Sequence, residues 1–514
     1  LAWSFLDDGM FLALAVQNSN NNAFSMRLSC VVQYAFVALI APAILSTLWL
    51  YLYPIVQNCH FPAPPSNSNY NGIAPFRLLA LGDPQLEGDS SLPDPDALLF
   101  PGLVGLGHRL WVEPLDVAAR ILKRTLTNMQ TQRKKLDLLG NDYYLAHIYR
   151  TIKWSTQPTH VSALGDLLGS QWISDQEFDR RADRFWKRVF AGAHFWKHDM
   201  PDTKEDAESQ GQREREFDWD FLDTIKSSQT PALLNVAGNH DIGYAGDINE
   251  HRIHRFEQAF GLVNWRIRIP FTNYLDSTNT STTPLLHLVN LNSMNLDTPA
   301  WDEELHHATH KYLDSLIDDT CTRHPHDAVI LLTHVPLYKP SGICVDPPFF
   351  SYFAPHQGGG IREQNHLSEH SSDKILNGLF TSLNGRERAG IVLNGHDHEG
   401  CDTWHTRPEQ DAAPWKQTHY PANVSTHGIR EVTVRSMMGA YGGNAGLLSA
   451  WFNMDTSMWE FEYSTCALGV QHIWWAIHIL DLVVVLLGVA SSFLWLLRLA
   501  TRQTVILDTE KKDI

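Results

Sequence analysis

The feature that most constrains this chain is a stretch without charge. From Leu28 to Phe76 there is no Asp, Glu, Lys or Arg. Its first part, CVVQYAFVALIAPAILSTLWLYLYPIV from Cys30 to Val56, exceeds the roughly 20 apolar residues a helix needs to cross a bilayer. Trp49, Tyr51 and Tyr53 close it with side chains that favour the membrane–water boundary. The run is too long for the apolar part of a signal peptide, and no small-residue cleavage pattern follows it. A retained anchor is expected. A second run, IWWAIHILDLVVVLLGVASSFLWLL from Ile473 to Leu497, has Trp474 and Trp475 at one edge and Arg498 and Arg502 beyond the other. Arg27 precedes the first run and Arg498 follows the second, so the positive-inside rule puts both termini in the cytosol and everything between in the lumen. His478 and Asp481 lie inside the second run on one helix face. An ionisable pair in a membrane hints at function; the plainer expectation is that they bond to each other or to the first helix near the boundary.

These runs divide the chain into a leader (1–27), a first span (28–56), a Pro-, Asn- and Ser-rich linker (57–75), a lumenal domain (76–463), a second span with its lumenal flank (464–497) and a tail (498–514). The leader begins at Leu1 and reads either as a cytosolic extension or as sequence upstream of a start at Met26. In the tail, Lys511 and Lys512 resemble the dilysine address by which coat machinery retrieves membrane proteins to the endoplasmic reticulum. Two glycosylation sequons, Asn279-Thr280-Ser281 and Asn423-Val424-Ser425, agree with a lumenal domain. The net charge of −17, without a basic stripe, argues against nucleic acid as a partner. Cys59, Cys321, Cys344, Cys401 and Cys466 lie outside the apolar runs and form no CxxC pair. In an oxidising lumen one or two disulfides are expected, with at least one cysteine left over.

The lumenal domain repeats one pattern: a short apolar run, then a polar cluster. The runs are FRLLALGDPQ, HVSALGDLLGS, ALLNVAGNHDIGY, AVILLTHVPLY and GIVLNGHDHEG. Each is short enough for a buried strand, and helical patterns intervene, at Pro114 to Asn128 and Asp175 to Phe190. Strands that alternate with helices and end in polar residues predict an α/β sheet or sandwich with its site along one edge. Asp83 and Gln85 alternate at a strand end, which predicts that both face one side. Asp166, Asn239, His240, Asp241, His334, His396 and His398 occupy the other clusters. Asp and Asn oxygens with His imidazoles are donors for divalent cations. Asp166 suits a bridge between two of them, because a carboxylate has two oxygens.

The order D-x-Q, G-D, G-N-H-D, H, G-H-x-H resembles the calcineurin-like metallophosphoesterases along the whole lumenal region. The resemblance implies a β-sandwich flanked by helices, here with a transmembrane helix at each end. It also implies two divalent metal ions. Asp83, Gln85 and His398 would hold the first, Asp166 would bridge, and Asn239, His334 and His396 would hold the second. His240 would contact the phosphate and protonate the leaving oxygen, and Asp241 would orient His240. Two positions depart from the family pattern. Gln85 stands where His is usual, which favours manganese or magnesium over zinc. Gly169 stands where relatives carry an acidic or Asn residue, so support for Asp166 must come from elsewhere.

Three further segments, LDLLGNDYYLAHIYR (Leu136 to Arg150), GHDHEGCD and VTVRSMMGAYGGNAG (Val432 to Gly446), resemble the fungal Ted/Cdc-type branch, related to the animal post-GPI-attachment phosphodiesterase. That implies removal of an ethanolamine-phosphate side branch from a mannose of GPI anchors in the endoplasmic reticulum. GPI-anchored proteins would be substrates, and p24-type cargo receptors would recognise the product. Tyr143 and Tyr144 either face the glycan or pack, and the loop Gly439 to Gly446 either approaches the site or is an ordinary turn. Two alternatives stay open: a membrane-bound phosphoesterase for another lipid or small phosphoester, and a non-catalytic cargo-export factor.

Overall fold

A computed structural model describes residues 4–66, 70, 72–94, 114–195, 231–271, 284–321, 326–381, 388–407, 414–421 and 427–510. Lys511, Lys512 and both sequons lie outside these residues. The chain forms two compact units, residues 1–56 with 472–514, and residues 57–471.

The first unit is helical. Helix Ser4–Tyr51 contains an apolar stretch Arg27–Tyr51 of mean hydropathy 2.1, and helix Gln471–Glu510 contains Gln471–Ala500 at 2.3. Large apolar side chains such as Val31, Tyr34, Leu482, Val485 and Phe493 point outward. A helix apolar on its outer face has its backbone satisfied internally and its side chains unsatisfied by water, which suits membrane anchoring. Thr47 Oγ1 lies 2.9 and 2.8 Å from the two carboxylate oxygens of Asp481, so Asp481 bonds to the first helix. His478 Nδ1 instead meets the Trp474 carbonyl of its own helix at 2.8 Å.

The second unit holds two large sheets. One orders strands β15 (Met458–Ala467), β14 (Asn444–Asn453), β1 (Phe76–Leu81), β2 (His160–Leu164), β4 (Ala232–Val236) and β3 (His194–Phe195). The other orders β12 (Lys416–His419), β11 (Cys401–Thr406), β13 (Ile429–Thr433), β10 (Gly390–Asn394), β7 (Ala328–Leu332), β6 (Leu285–Asn290) and β5 (Trp265–Pro270). A hairpin, β8 (Phe350–Tyr352) with β9 (Ile361–Gln364), stands apart. Phe76, Leu78 and Phe452 of the first sheet share one core with Leu288, Ile330 and Leu393 of the second. Leu79, Val161 and Leu233 are buried on the opposite face. Strands buried on both faces read as largely apolar runs, which is why β1, β2, β4, β7 and β10 stand out in the sequence. Helices cover outer faces: the Asn235 amide donates to the Phe260 carbonyl of helix Glu250–Phe260, and a Cβ on Gly390 would strike Phe380 of helix Glu369–Phe380.

Strands β1, β2 and β4 run parallel, as do β6, β7, β10 and β13. Their C-terminal ends therefore share an edge, and the polar clusters follow those ends. Two boundaries differ from the sequence pattern. The helix expected to stop near Asn128 continues to Thr156 and absorbs the whole Leu136–Arg150 segment. The pattern expected to run to Phe190 is α-helical only to Arg184, then makes a single π turn, Phe185–Val189. Disulfides join Cys59 to Cys466 and Cys344 to Cys401, and Cys30 is free. The first ties the linker to the last strand; the second ties the loop after β7 to β11.

Candidate metal centre

Strand β1 ends at Leu81, so strand alternation does not aim Asp83 and Gln85. Both turn inward through left-handed backbone, with φ of 46° and 41°. Asp166 (48°) and His396 (73°) share this conformation. Each such residue costs about 1–3 kcal/mol, and such residues persist where the surroundings over-determine them. Two glycines make the approach possible. A Cβ on Gly165 would lie 2.2 Å from His334 Nδ1, and one on Gly238 would lie 2.1 Å from the Asp166 nitrogen. The glycines of G-D and G-N-H-D are thus set by close packing.

The two halves of the site present different atoms. His334 Nδ1 donates to the Leu164 carbonyl at 2.8 Å, and His396 Nε2 donates to the Gln364 carbonyl at 2.8 Å. A neutral imidazole has one N–H. The remaining nitrogens, His334 Nε2 and His396 Nδ1, therefore face Asn239 Oδ1 with lone pairs, each at 3.0 Å. Burial pushes both rings toward the neutral form, His396 down to about 3. His334 Nε2 also lies 3.3 Å from Asp166 Oδ1. Three lone pairs and a carboxylate meeting without a proton between them are a fitting cage for a cation.

In the other half, Asp83, Asp166 and His398 bring one ligand atom each within 4.8 Å of one another, as do Asp166, His334 and His396. Asp166 belongs to both groups. Asp83 is fully buried; its Oδ1 accepts the His396 N–H at 2.9 Å, and its Oδ2 has no partner. Burial, then the neighbouring Asp166, holds its carboxyl well above the usual range. Burial would also raise Asp166, but His334, His240 and His396 outweigh it and hold that carboxyl low. An orphaned carboxylate oxygen beside a second carboxylate fits a divalent cation. Gln85 differs from its expected pose. Its Nε2, not its oxygen, donates to Asp166 Oδ2 at 3.0 Å and lies 3.2 Å from His398 Nε2. A half-turn of the amide exchanges the two ends.

His240 begins the short helix Asn239–Ile242 as its second residue, and its N–H donates to Asp166 Oδ1 at 2.8 Å. Its ring is partly exposed, with Nε2 3.8 Å from Asp166 Oδ2. Asp241 does not orient it. The Asp241 carboxylate is fully buried and accepts the N–H groups of Leu167 (3.1 Å), Leu168 (2.9 Å) and Gly238 (2.9 Å). It staples the Asp166 loop to the Asn239 loop, supplying support that Gly169 does not. Burial and then Asp166 push its carboxyl up to about 8, against the pull of those three bonds.

Sequence reasoning missed several contributors. The Gln364 carbonyl sets the His396 tautomer but belongs to backbone, which leaves no residue signal. Tyr244 packs edge-on to His396 at 6.1 Å, and Tyr441 to His398 at 4.8 Å. Tyr441 sits in the glycine-rich loop, which therefore does approach the site. A cavity of about 480 Å³ opens beside His396 and His398, with Lys339, Asp397 and Tyr441 in its wall. Tyr144 is buried, with its hydroxyl on the Gly469 carbonyl, so it packs; Tyr143 is half exposed beside Arg188.

No family model matches the chain. It is 35% identical over 382 residues to Protein TED1 of Saccharomyces cerevisiae, covering 66% of this chain and 75% of that one. It is 28% identical over 385 residues to an uncharacterised protein of Schizosaccharomyces pombe, covering 67% and 78%. Over 307 residues it is 25% identical to Metallophosphoesterase 1 of Danio rerio, covering 56% and 66%.

Proposed function

Because the chain belongs to the calcineurin-like metallophosphoesterases, we propose that it is a membrane-tethered phosphodiesterase acting on GPI anchors in the endoplasmic reticulum lumen. It removes an ethanolamine-phosphate side branch from a mannose. The observation that carries the phosphoesterase reading is the pair of ligand groups that share Asp166. Asp83, Gln85 and His398 would hold one divalent cation, and Asn239, His334 and His396 the other, with Asp166 common to both. Manganese suits this mixed oxygen and imidazole set. Such cations, when bound, offset the charge of the phosphoryl oxygens and acidify water.

The chain's own residues supply the rest. The two carbonyl bonds to His334 and His396 fix which nitrogen each ring offers. His240, partly exposed and beside Asp166, donates a proton to the mannose oxygen as its bond to phosphorus breaks. Water supplies the new oxygen on phosphorus, and ethanolamine phosphate departs. The membrane-length helices keep the domain where a lipid-anchored substrate is concentrated. Recognition of the trimmed glycan by p24-type receptors would then follow.

Mass spectrometry of GPI glycans tests the substrate. A strain lacking the protein, rescued with Asp166→Asn or His240→Ala, is expected to retain ethanolamine phosphate that the unmodified chain removes. Unchanged ethanolamine phosphate in the deletion strain would sink the substrate.

A further inference from the structure

The two cation positions are supported by different means. His334 and His396 are each fixed by a hydrogen bond to a strand carbonyl, Leu164 of β2 and Gln364 of β9. Gln85 lies on a loop past the end of β1. On its inner side the Gln85 N–H donates to the Asp166 carbonyl at 2.8 Å, and the Leu86 N–H to the Leu167 carbonyl at 3.1 Å. On its outer side two arginines of helix Asp175–Arg184 grip it. Arg181 Nη1 donates to the Leu86 carbonyl at 3.2 Å, and Arg184 Nη1 to the Glu87 carbonyl at 2.7 Å.

Arg184 is itself held from the long helix Pro114–Thr156. Its Nε and Nη2 bind both oxygens of Asp142, at 2.8 and 2.7 Å, and Arg188 adds a bond at 2.6 Å. The Asp142 side chain is 0% exposed. Nearby on the same helix, Tyr144 donates to the Gly469 carbonyl at 2.6 Å. A Cβ on Gly443 would come within 2.1 Å of that hydroxyl. Gly443 belongs to the loop whose Tyr441 ring rests edge-on against His398. One turn of helix thus reaches both the Gln85 loop and the loop against His398.

We propose that the Asp142–Tyr144 turn is a bracket that sets occupancy of the first cation position, by holding the Gln85 loop and the Tyr441 loop that rests against His398 in register. The proposal rests on the two-cation reading of the site and not on the GPI substrate. Its physical basis is the weakness of an amide as a ligand. A weak donor contributes to affinity only if it is already in place, since ordering it would otherwise consume the gain. Asp142, Arg184 and Tyr144 touch no ligand position; they are positioning residues, and they give the long helical segment a role beyond packing.

The test counts cations. The full chain in detergent is titrated with manganese, with bound metal per chain and affinities measured for each variant. The unmodified chain is expected to bind two. Asp142→Asn is expected to weaken one of them by roughly 10- to 100-fold, the range for residues that orient metal ligands, and to leave the other unchanged. Gln85→His in the Asp142→Asn background is expected to restore the cation at the first position, because imidazole binds without help from the bracket. A purely structural role would lower thermal stability without this selective loss and without this rescue. If Asp142→Asn does not fold, Arg184→Lys and Tyr144→Phe, which keep a charge and a ring, carry the same measurement. Two cations at unmodified affinity in the folded variants, or loss of both together, would overturn the bracket. Selective loss with rescue in a chain that leaves GPI glycans untouched would uphold the bracket and overturn the proposed substrate.

Discussion

The two halves of the centre use similar donors but are built differently. In the half containing Asn239, His334 and His396, a strand carbonyl accepts the N–H of each imidazole and leaves its other nitrogen facing Asn239 Oδ1. The half containing Asp83, Gln85 and His398 contains an unpartnered carboxylate oxygen and an amide that presents its nitrogen inward. Its Gln85 loop is held by arginines reaching in from outside the sheets. The difference teaches that two candidate ligand groups sharing one carboxylate, Asp166, can be supported in different ways, one by strand carbonyls and the other by loops braced from outside.

The largest expected effect, on both cations as well as on hydrolysis, comes from removing what the halves share. Asp166→Asn should lower phosphodiester hydrolysis by about 10²- to 10³-fold, the order lost when a principal electrostatic partner is removed, and should weaken both cations. A loss confined to one cation would break the idea of a common bridge. His240→Ala should lower kcat by roughly 10²- to 10⁴-fold, the range for general acid catalysis, with both cations retained. Metal loss in that variant would make His240 a ligand. Asp241→Asn removes a carboxylate that satisfies three backbone N–H groups. It should cost about 1–3 kcal/mol of stability, the penalty for leaving a buried donor unpaired, and thermal melting would register it. A change in the pH profile of hydrolysis without any change in melting would return Asp241 to the role of orienting His240. The smallest effect is expected from Gln85→His, which should tighten the first cation and shift its preference toward zinc. Equal affinity for the same metals in both forms would mean that Gln85 does not tune the site.

Much of the site was legible because its residues follow strands that are buried on both faces. FRLLAL, HVSAL, ALLNV, AVILL and GIVLN are mostly apolar, broken only by Arg77, His160, Ser162, Asn235 and Asn394, so the Asp, Asn and His clusters after them stand out. Asp241 was misread because its neighbour in sequence is not its neighbour in bonding. Its partners Leu167 and Leu168 lie on a separate loop, brought close only when β2 pairs with β4. The long helix was seen in part, since MQTQRKK directly after Asn128 is polar and breaks the apolar spacing, while Asp142 and Tyr144 further on are buried beside Arg184, Arg188 and Gly469. Cysteine pairing was illegible for a similar reason: Cys59 and Cys466 are 407 positions apart and meet through the fold of the last strand.

The sequence by itself determined the chemistry available: two membrane-length apolar runs, a donor set of carboxylates, amides and imidazoles, and the glycines that let those donors approach. It could do so because donor type and helix length are properties of residues and their spacing. Only the tertiary structure decided which atom each donor offers. A histidine presents Nδ1 or Nε2 according to what its other nitrogen bonds, and for His334 and His396 that is a carbonyl from a distant strand. A hydrogen-bond partner across the fold leaves no mark on the residue it orients.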